Sequence, residues 1–150
     1  MLHRLASDQL SRYWNDIRDA LMASVPPLAE PTGAAVNQIM ENILLRKMQA
    51  WLLYEDDGTP EQPAVKIYAL VITQIWQEPG SLTRNLLIYA LYGYSFVPEP
   101  LWRSGLAGLR AWAKKKDCRS IVAYTRVQRI VDVVKMLGGD TDTTFLQLEV

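Results

Sequence analysis

The succession of apolar patterns in the second half of the chain constrains its fold most. Asn85 to Tyr94 is a near-continuous apolar run of strand length, followed by a Pro-containing loop from Ser95 to Pro100. Leu101 to Cys118 then repeats with a helical period, and Ser120 to Tyr124 is a short strand. Val127 to Leu137 is a second helix, stopped by Gly138-Gly139. A strand whose apolar residues do not alternate needs cover on both faces. The predicted class is therefore α/β: a mixed, mostly antiparallel central sheet with helices on both faces.

The first half supplies the remaining layers. Leu10, Tyr13, Trp14, Ile17 and Leu21 recur at helical spacing behind a Ser7 or Asp8 cap, and the pattern stops before Pro26-Pro27. Val36, Ile39, Met40, Ile43 and Leu44 mark a second helix after the Pro31-Thr32-Gly33 loop. Gln49 to Glu55 reads as a strand ending in the Asp57-Gly58 turn signal. Lys66 to Trp76 reads as a central strand closed by Glu78-Pro79-Gly80, and Phe145 to Val150 as a closing strand. In the helix after Leu101, Gly105 and Gly108 share a face with Leu109 and Trp112. Glycine costs about 1 kcal/mol against alanine in a helix, so close approach to the sheet is predicted there. At 150 residues the expectation is one domain, 1–150.

Composition narrows the function classes. Sixteen basic residues balance sixteen acidic ones, which argues against nucleic acid as a partner. The one basic cluster, Lys114 to Lys116 with Arg119, suits the carbonyl end of a helix. A single cysteine, Cys118, excludes an internal disulfide, and with the lone His3 it gives no metal site. No apolar run approaches the ~20 residues that cross a bilayer. The N-terminus lacks the apolar core of a signal peptide, so a soluble, cytoplasmic protein is expected.

The element order resembles the GNAT (Gcn5-related N-acetyltransferase) fold across the chain, most specifically from Asn85 to Gly139. Ile130-Val-Asp-Val-Val-Lys-Met-Leu-Gly138 is similar to the family's helix that ends in a Leu-Gly turn. Leu87-Ile-Tyr-Ala-Leu-Tyr-Gly-Tyr94 and Val122-Ala-Tyr-Thr125 also resemble segments of small proteins encoded by tailed phages. In the family, a loop and a helix N-terminus hold the diphosphate of acetyl-CoA. Carried onto this chain, that cleft comprises Tyr92, Gly93, Tyr94, Ser95, Arg103, Ser104 and Gly105.

The residues depart from the family pattern where chemistry is expected. The family's Gln/Arg-x-x-Gly-x-Gly/Ala loop is replaced by Ser95-Phe-Val-Pro-Glu-Pro-Leu-Trp102. Pro98 and Pro100 have no amide hydrogen to donate, and Glu99 adds a negative charge. Arg103-Ser-Gly105-Leu-Ala-Gly108 lies within the helix and has a different spacing. Aligning Gly138 with the family's glycine puts Val127 where an asparagine often sits and Val134 where the general-acid tyrosine often sits. Between Lys66 and Tyr94 the only acidic residue is Glu78, in a turn. Tyr89, Tyr92, Tyr94 and Tyr124 read first as packing residues with hydroxyls at an edge.

Two functions follow. The first is a catalytically silent GNAT-fold module for interaction or assembly, belonging to a phage virion or a phage-encoded complex and located in the host cytoplasm or the particle. It names no catalytic residue and no cofactor, expects a protein partner or self-association, and takes Trp102, Tyr124 and Arg126 as contact candidates. The alternative is an acetyl-CoA-dependent N-acetyltransferase with an atypical cofactor loop. It would act through Tyr92, Tyr94 or Tyr124 and the strand amides around Gly93-Tyr94-Ser95.

Overall fold

Apolar residues at period two on both faces of long strands require a sheet buried between layers, and the computed structural model, which describes residues 1–150, has that arrangement. Its elements in chain order are β1 (Leu2–Arg4), α1 (Ser7–Arg12), α2 (Trp14–Ser24), α3 (Gly33–Leu44), β2 (Met48–Asp56) and β3 (Val65–Gln77). There follow β4 (Arg84–Gly93), α4 (Glu99–Lys115), β5 (Ser120–Val122) and α5 (Gln128–Met136). The five strands lie in sequence order in one sheet, antiparallel except for the parallel pair β4–β5. That pair needs a crossover, which α4 supplies. No helix is long and apolar enough to cross a membrane.

The pleat sorts the core into two layers. Ala50, Leu70, Ile72 and Ala90 point to one face and pack with Leu10, Ile17, Leu21, Val36 and Ile39 from α1, α2 and α3. Trp51, Val71 and Leu86 point to the other and pack with Leu109 and Ala113 of α4. Ile72 is fully buried; burying such a side chain stabilises by roughly 1.5–3 kcal/mol. The buried Thr73 hydroxyl is satisfied twice, accepting from Trp51 Nε1 at 2.9 Å and donating to Gln49 Oε1 at 2.9 Å. Trp51 also meets Trp112 of α4 edge-on, with centroids 5.4 Å apart.

The glycines of α4 serve close packing, as their spacing predicts. A Cβ at Gly105 would stand 3.2 Å from Leu53 Cδ1, and one at Gly108 would stand 3.2 Å from Leu2 Cδ2. α3 starts where expected, with Thr32 Oγ1 accepting from the Ala35 amide at 3.1 Å.

Four expectations need correction. The first helical pattern is two helices, interrupted at Tyr13 (φ −105°, ψ 16°), and the N-cap is Ala6 rather than Ser7 or Asp8. There the Ala6 amide donates to Gln9 Oε1 at 2.9 Å. The N-terminus is an edge strand, with His3 opposite Leu52 and bonded to Gln9. The strand predicted over Ser120 to Tyr124 stops at Val122. Phe145 to Val150 joins no strand, and Leu146 and Leu148 lie exposed. Their alternation suits a sheet edge, but alternation alone supplies no partner strand.

Candidate functional site

β4 organises the site because its two edges are treated differently. Along β3 it is paired from Arg84 to Gly93. Along β5 it is paired only at Asn85, Leu86 and Leu87, opposite Ser120, Ile121 and Val122. This paired end is tied by Ser120 Oγ donating to Asn85 Oδ1 at 2.6 Å, and by the Arg119 amide donating to the Arg84 carbonyl at 2.8 Å. Beyond Leu87 and Val122 the strands part, leaving the edge of β4 from Ile88 to Gly93 without a ladder partner on that side.

A β-bulge lies within the parted stretch. Ile72 faces Ala90 while the next residue, Thr73, faces Ile88, so Tyr89 is the extra residue. Bulges free backbone groups from the ladder and re-aim a side chain. Burial, followed by the nearby Tyr124, raises the Tyr89 phenol pKa. Tyr89 therefore stays protonated at neutral pH.

The end of β4 leads into the loop before α4. The Tyr94 amide is used by the Tyr68 carbonyl at 2.9 Å, and the Leu101 and Trp102 amides turn back to the Pro98 carbonyl. The amides of Ser95, Phe96, Val97 and Glu99 have no protein acceptor. Glu99 is paired with Arg103, at 2.7 Å from Nη2 and 2.8 Å from Nε. The Arg129 guanidinium sits 4.7 Å over the Phe96 ring, bringing the start of α5 against this loop. The unpartnered amides at Ser95, Phe96 and Glu99, the N-terminus of α4 and Arg129 are donors of the kind that suit an anion.

The sequence candidates divide on this geometry. Tyr92, Gly93, Tyr94 and Ser95 cluster at the end of β4, with the Tyr92 and Tyr94 rings edge-on at 5.1 Å. Arg103 and Ser104 are exposed on the first turns of α4, whereas Gly105 is buried against Leu53. Trp102 is half-buried against the Leu53, Val97 and Leu101 cluster. The most exposed aromatic near the loop is Phe96, at 70%. Tyr124 stacks on Phe145 with centroids 5.4 Å apart, and Arg126 donates to Gln147 Oε1 at 3.2 Å, so both contact the C-terminal segment of their own chain. They line a pocket of about 290 Å³ with Pro27 and Thr125. Burial raises the Cys118 thiol pKa, keeping it protonated and poorly nucleophilic.

Sequence reasoning missed Asp16. The Tyr94 phenol is raised by burial and then by the Asp16 carboxylate, placing an α2 residue beside the end of β4. Asp16 and Tyr94 line a groove of about 900 Å³ between the first two helices and the sheet. The only available signal was the recurrence of Tyr13, Asp16 and Asp19 every three residues, which also fits a solvated helix face.

No protein-family model matches the sequence, and no curated protein is significantly similar to it. Solved structures do match it at the level of fold. The aminoglycoside N-acetyltransferase AAC(6')-Iy, with a bisubstrate CoA analogue, superposes with a TM-score of 0.69 at 13% identity, covering 100% of this chain and 97% of that one. A predicted acetyltransferase from Clostridium acetobutylicum, with acetyl-CoA, gives 0.67 at 14% identity over 99% and 95%. A probable acetyltransferase gives 0.68 at 11% identity over 100% and 96%. The chain has the GNAT acetyltransferase fold.

These neighbours overturn the expectation of no cofactor, since structures with this fold hold CoA, acetyl-CoA or a CoA analogue. The expectation counted Pro98, Pro100 and the charge of Glu99. It could not see that four amides around the prolines are free, or that Arg103 neutralises Glu99. Unpartnered amides and a cation of the kind that hold a diphosphate are present at this loop.

Proposed function

We propose that this chain, acting as a single domain over residues 1–150 in the cytoplasm, binds a CoA thioester between β4 and β5 and passes its acyl group to an amine. The observation that carries this reading is the parting of β4 from β5 after Leu87 and Val122, with the Tyr89 bulge inside the parted stretch. An open strand edge offers main-chain groups to an extended ligand.

The Ser95, Phe96, Val97 and Glu99 amides and the positive end of α4 hold the diphosphate, with Arg129 adding charge across the loop. When bound, acetyl-CoA supplies an activated carbonyl: a C–N bond forms to the acceptor amine as the C–S bond breaks, and the nitrogen's proton passes to solvent as the thiolate is protonated. Backbone groups at the bulge polarise the carbonyl. The protonated Tyr89 phenol is the donor for the departing sulfur. Holding both reactants in one cleft contributes most of the acceleration expected of such a site.

The test is thermal denaturation with acetyl-CoA, followed by thiol release on adding an amine. A ligand at a hundred times its dissociation constant adds about 2.7 kcal/mol, a shift of roughly 5–10 °C for a chain of this size. Tyr89→Phe should keep that shift and slow thiol release about a hundredfold. An unchanged melting temperature at millimolar acetyl-CoA would reject the reading.

A second reading is favoured by the exposure of Phe96 (70%), Leu146 (84%) and Leu148 (93%). Here the fold is a catalytically silent interaction or assembly module, as in a phage particle, and a partner protein or a second copy covers these residues. Concentration-dependent mass in solution, without thiol release, would favour it.

A further inference from the structure

The zero net charge conceals a segregation along the chain. Between Arg84 and Lys135 stand ten basic residues and three acidic ones. Six of the ten gather where α4 ends. Arg110, Lys114, Lys115 and Lys116 lie on its last turns, Arg119 lies just beyond, and the Arg84 carbonyl accepts from the Arg119 amide. By strand alternation Arg84 points to the same side as Leu86, which packs under α4.

Lysines at a helix C-terminus ordinarily complement its carbonyls. Here the main chain already does so. Asp117 is left-handed (φ 55°), the Cys118 amide donates to the Ala113 carbonyl at 3.0 Å, and the Asp117 amide donates to the Lys114 carbonyl at 3.2 Å. The basic side chains are left without protein acceptors. The arginines whose side chains hydrogen-bond within the chain are Arg103 and Arg126, and the one ion pair joins Glu99 to Arg103. Lys116 lies over the Trp112 ring, 5.9 Å from its centroid. Of the neighbouring carboxylates, Glu78 accepts from the Gly80 and Ser81 amides of its own turn, and Asp117 forms no ion pair.

The surroundings of these charges select the partner. Protein interfaces have an apolar centre, and a polybasic patch anchors stably to a membrane only with a second, apolar signal. This patch has neither: its lysines, Arg110 and Arg119 are exposed, whereas Leu109, Trp112 and Ala113 beside them pack against the sheet. Trp112 is held edge-on against Trp51, so it gives no platform for stacking single-stranded bases. What remains is a set of unpaired cations, which suits closely spaced phosphates.

We propose that the end of α4, with Arg84 and Arg119, binds the phosphate backbone of a nucleic-acid duplex without regard to sequence. The 17 residues of α4 run about 25 Å, which sets this surface at the far end of the helix from the Ser95–Glu99 loop. It does not depend on the function proposed above.

Fluorescence anisotropy of a labelled random-sequence DNA duplex, titrated with the intact protein over a series of salt concentrations, tests the assignment. Each phosphate contact contributes about −0.9 to the slope of log affinity against log salt, so six cations give about −5. Lys114→Gln, Lys115→Gln and Lys116→Gln combined should weaken binding at least about tenfold at low salt and make the slope shallower by about 3. The cap beneath these side chains is main-chain and the lysines are exposed, so the triple variant should melt with the wild-type protein. Arg12→Gln combined with Lys66→Gln removes two exposed cations elsewhere and should leave the slope unchanged. Should the triple variant fail to fold, the wild-type slope decides, and a value shallower than about −2 would overturn the proposal. Equal binding by a folded triple variant would also overturn it. So would displacement of the duplex by saturating acetyl-CoA, which would put the contact at the Ser95–Glu99 loop. Binding to phosphatidylserine vesicles with none to the duplex would assign the patch to a membrane surface instead and reject the proposal.

Discussion

The two ends of the chain are built from similar patterns and reach different degrees of burial. From Leu5 to Ala90, three helices close over one face of the sheet, and Leu10, Leu21, Val36 and Ile72 lose all contact with solvent. After Ala113 no residue is buried. α5 has Ile130, Val131, Val133 and Val134 on a helical repeat, yet all four remain half-exposed. A strong amphipathic pattern specifies which face a helix would bury, and burial still needs a surface to receive it. The comparison also bears on function. The proposed cleft between β4 and β5 meets the poorly buried end through Tyr124 and Arg129, the latter over Phe96, and rests on the well-buried end through β4. Binding segments are drawn from low-stability regions because they must open and close around ligands.

The largest expected effect tests the contrast directly. Ile72→Ala should lower unfolding free energy by about 2–5 kcal/mol. Val134→Ala, on the half-exposed α5, should lower it by no more than about 1 kcal/mol. Urea denaturation of both variants checks this, and equal losses would erase the distinction between the two ends.

A smaller effect sharpens the boundary between them. Gly105→Val inserts branched carbon where a single Cβ already approaches Leu53 to 3.2 Å. Overpacking of this kind costs about 1–3 kcal/mol. If Gly105→Val melted with the wild-type protein, the contact between α4 and the sheet would be looser than the distances require.

The smallest effect is a pH dependence at the β3–β4 turn. The Ser81 and Gly80 amides, with the Ser81 hydroxyl, hold the exposed Glu78 carboxyl below its ordinary value of 4.5. Its folded-state pKa is depressed, so its stabilisation is present above the unfolded value and lost as pH falls through the folded one. Glu78→Gln should reduce stability near neutrality and flatten its decline below pH 4.5. Parallel stability–pH curves for wild type and variant would show that the turn does not depend on this charge.

Most of the sheet and of the helices it carries was legible before the structure. Lys66 to Trp76 and Asn85 to Tyr94 fall within one or two residues of β3 and β4, and the close approach at Gly105 and Gly108 followed from glycine's cost in a helix. The site was only half legible. The residues proposed from the sequence, Tyr92 to Ser95, do lie together at the end of β4, but the bulge at Tyr89, the unpartnered amides before α4 and the pairing of Glu99 with Arg103 left no sign in it.

The division has a physical cause. Periodicity, prolines and glycines act over a few neighbouring residues, so the amino-acid order alone determined the element types and which faces are apolar. β1, the early end of β5 and the meeting of Asp16 with Tyr94 depend on segments distant in the chain. Only packing in three dimensions decided them, because pairing across such separations depends on which partner surfaces remain free once the core has closed.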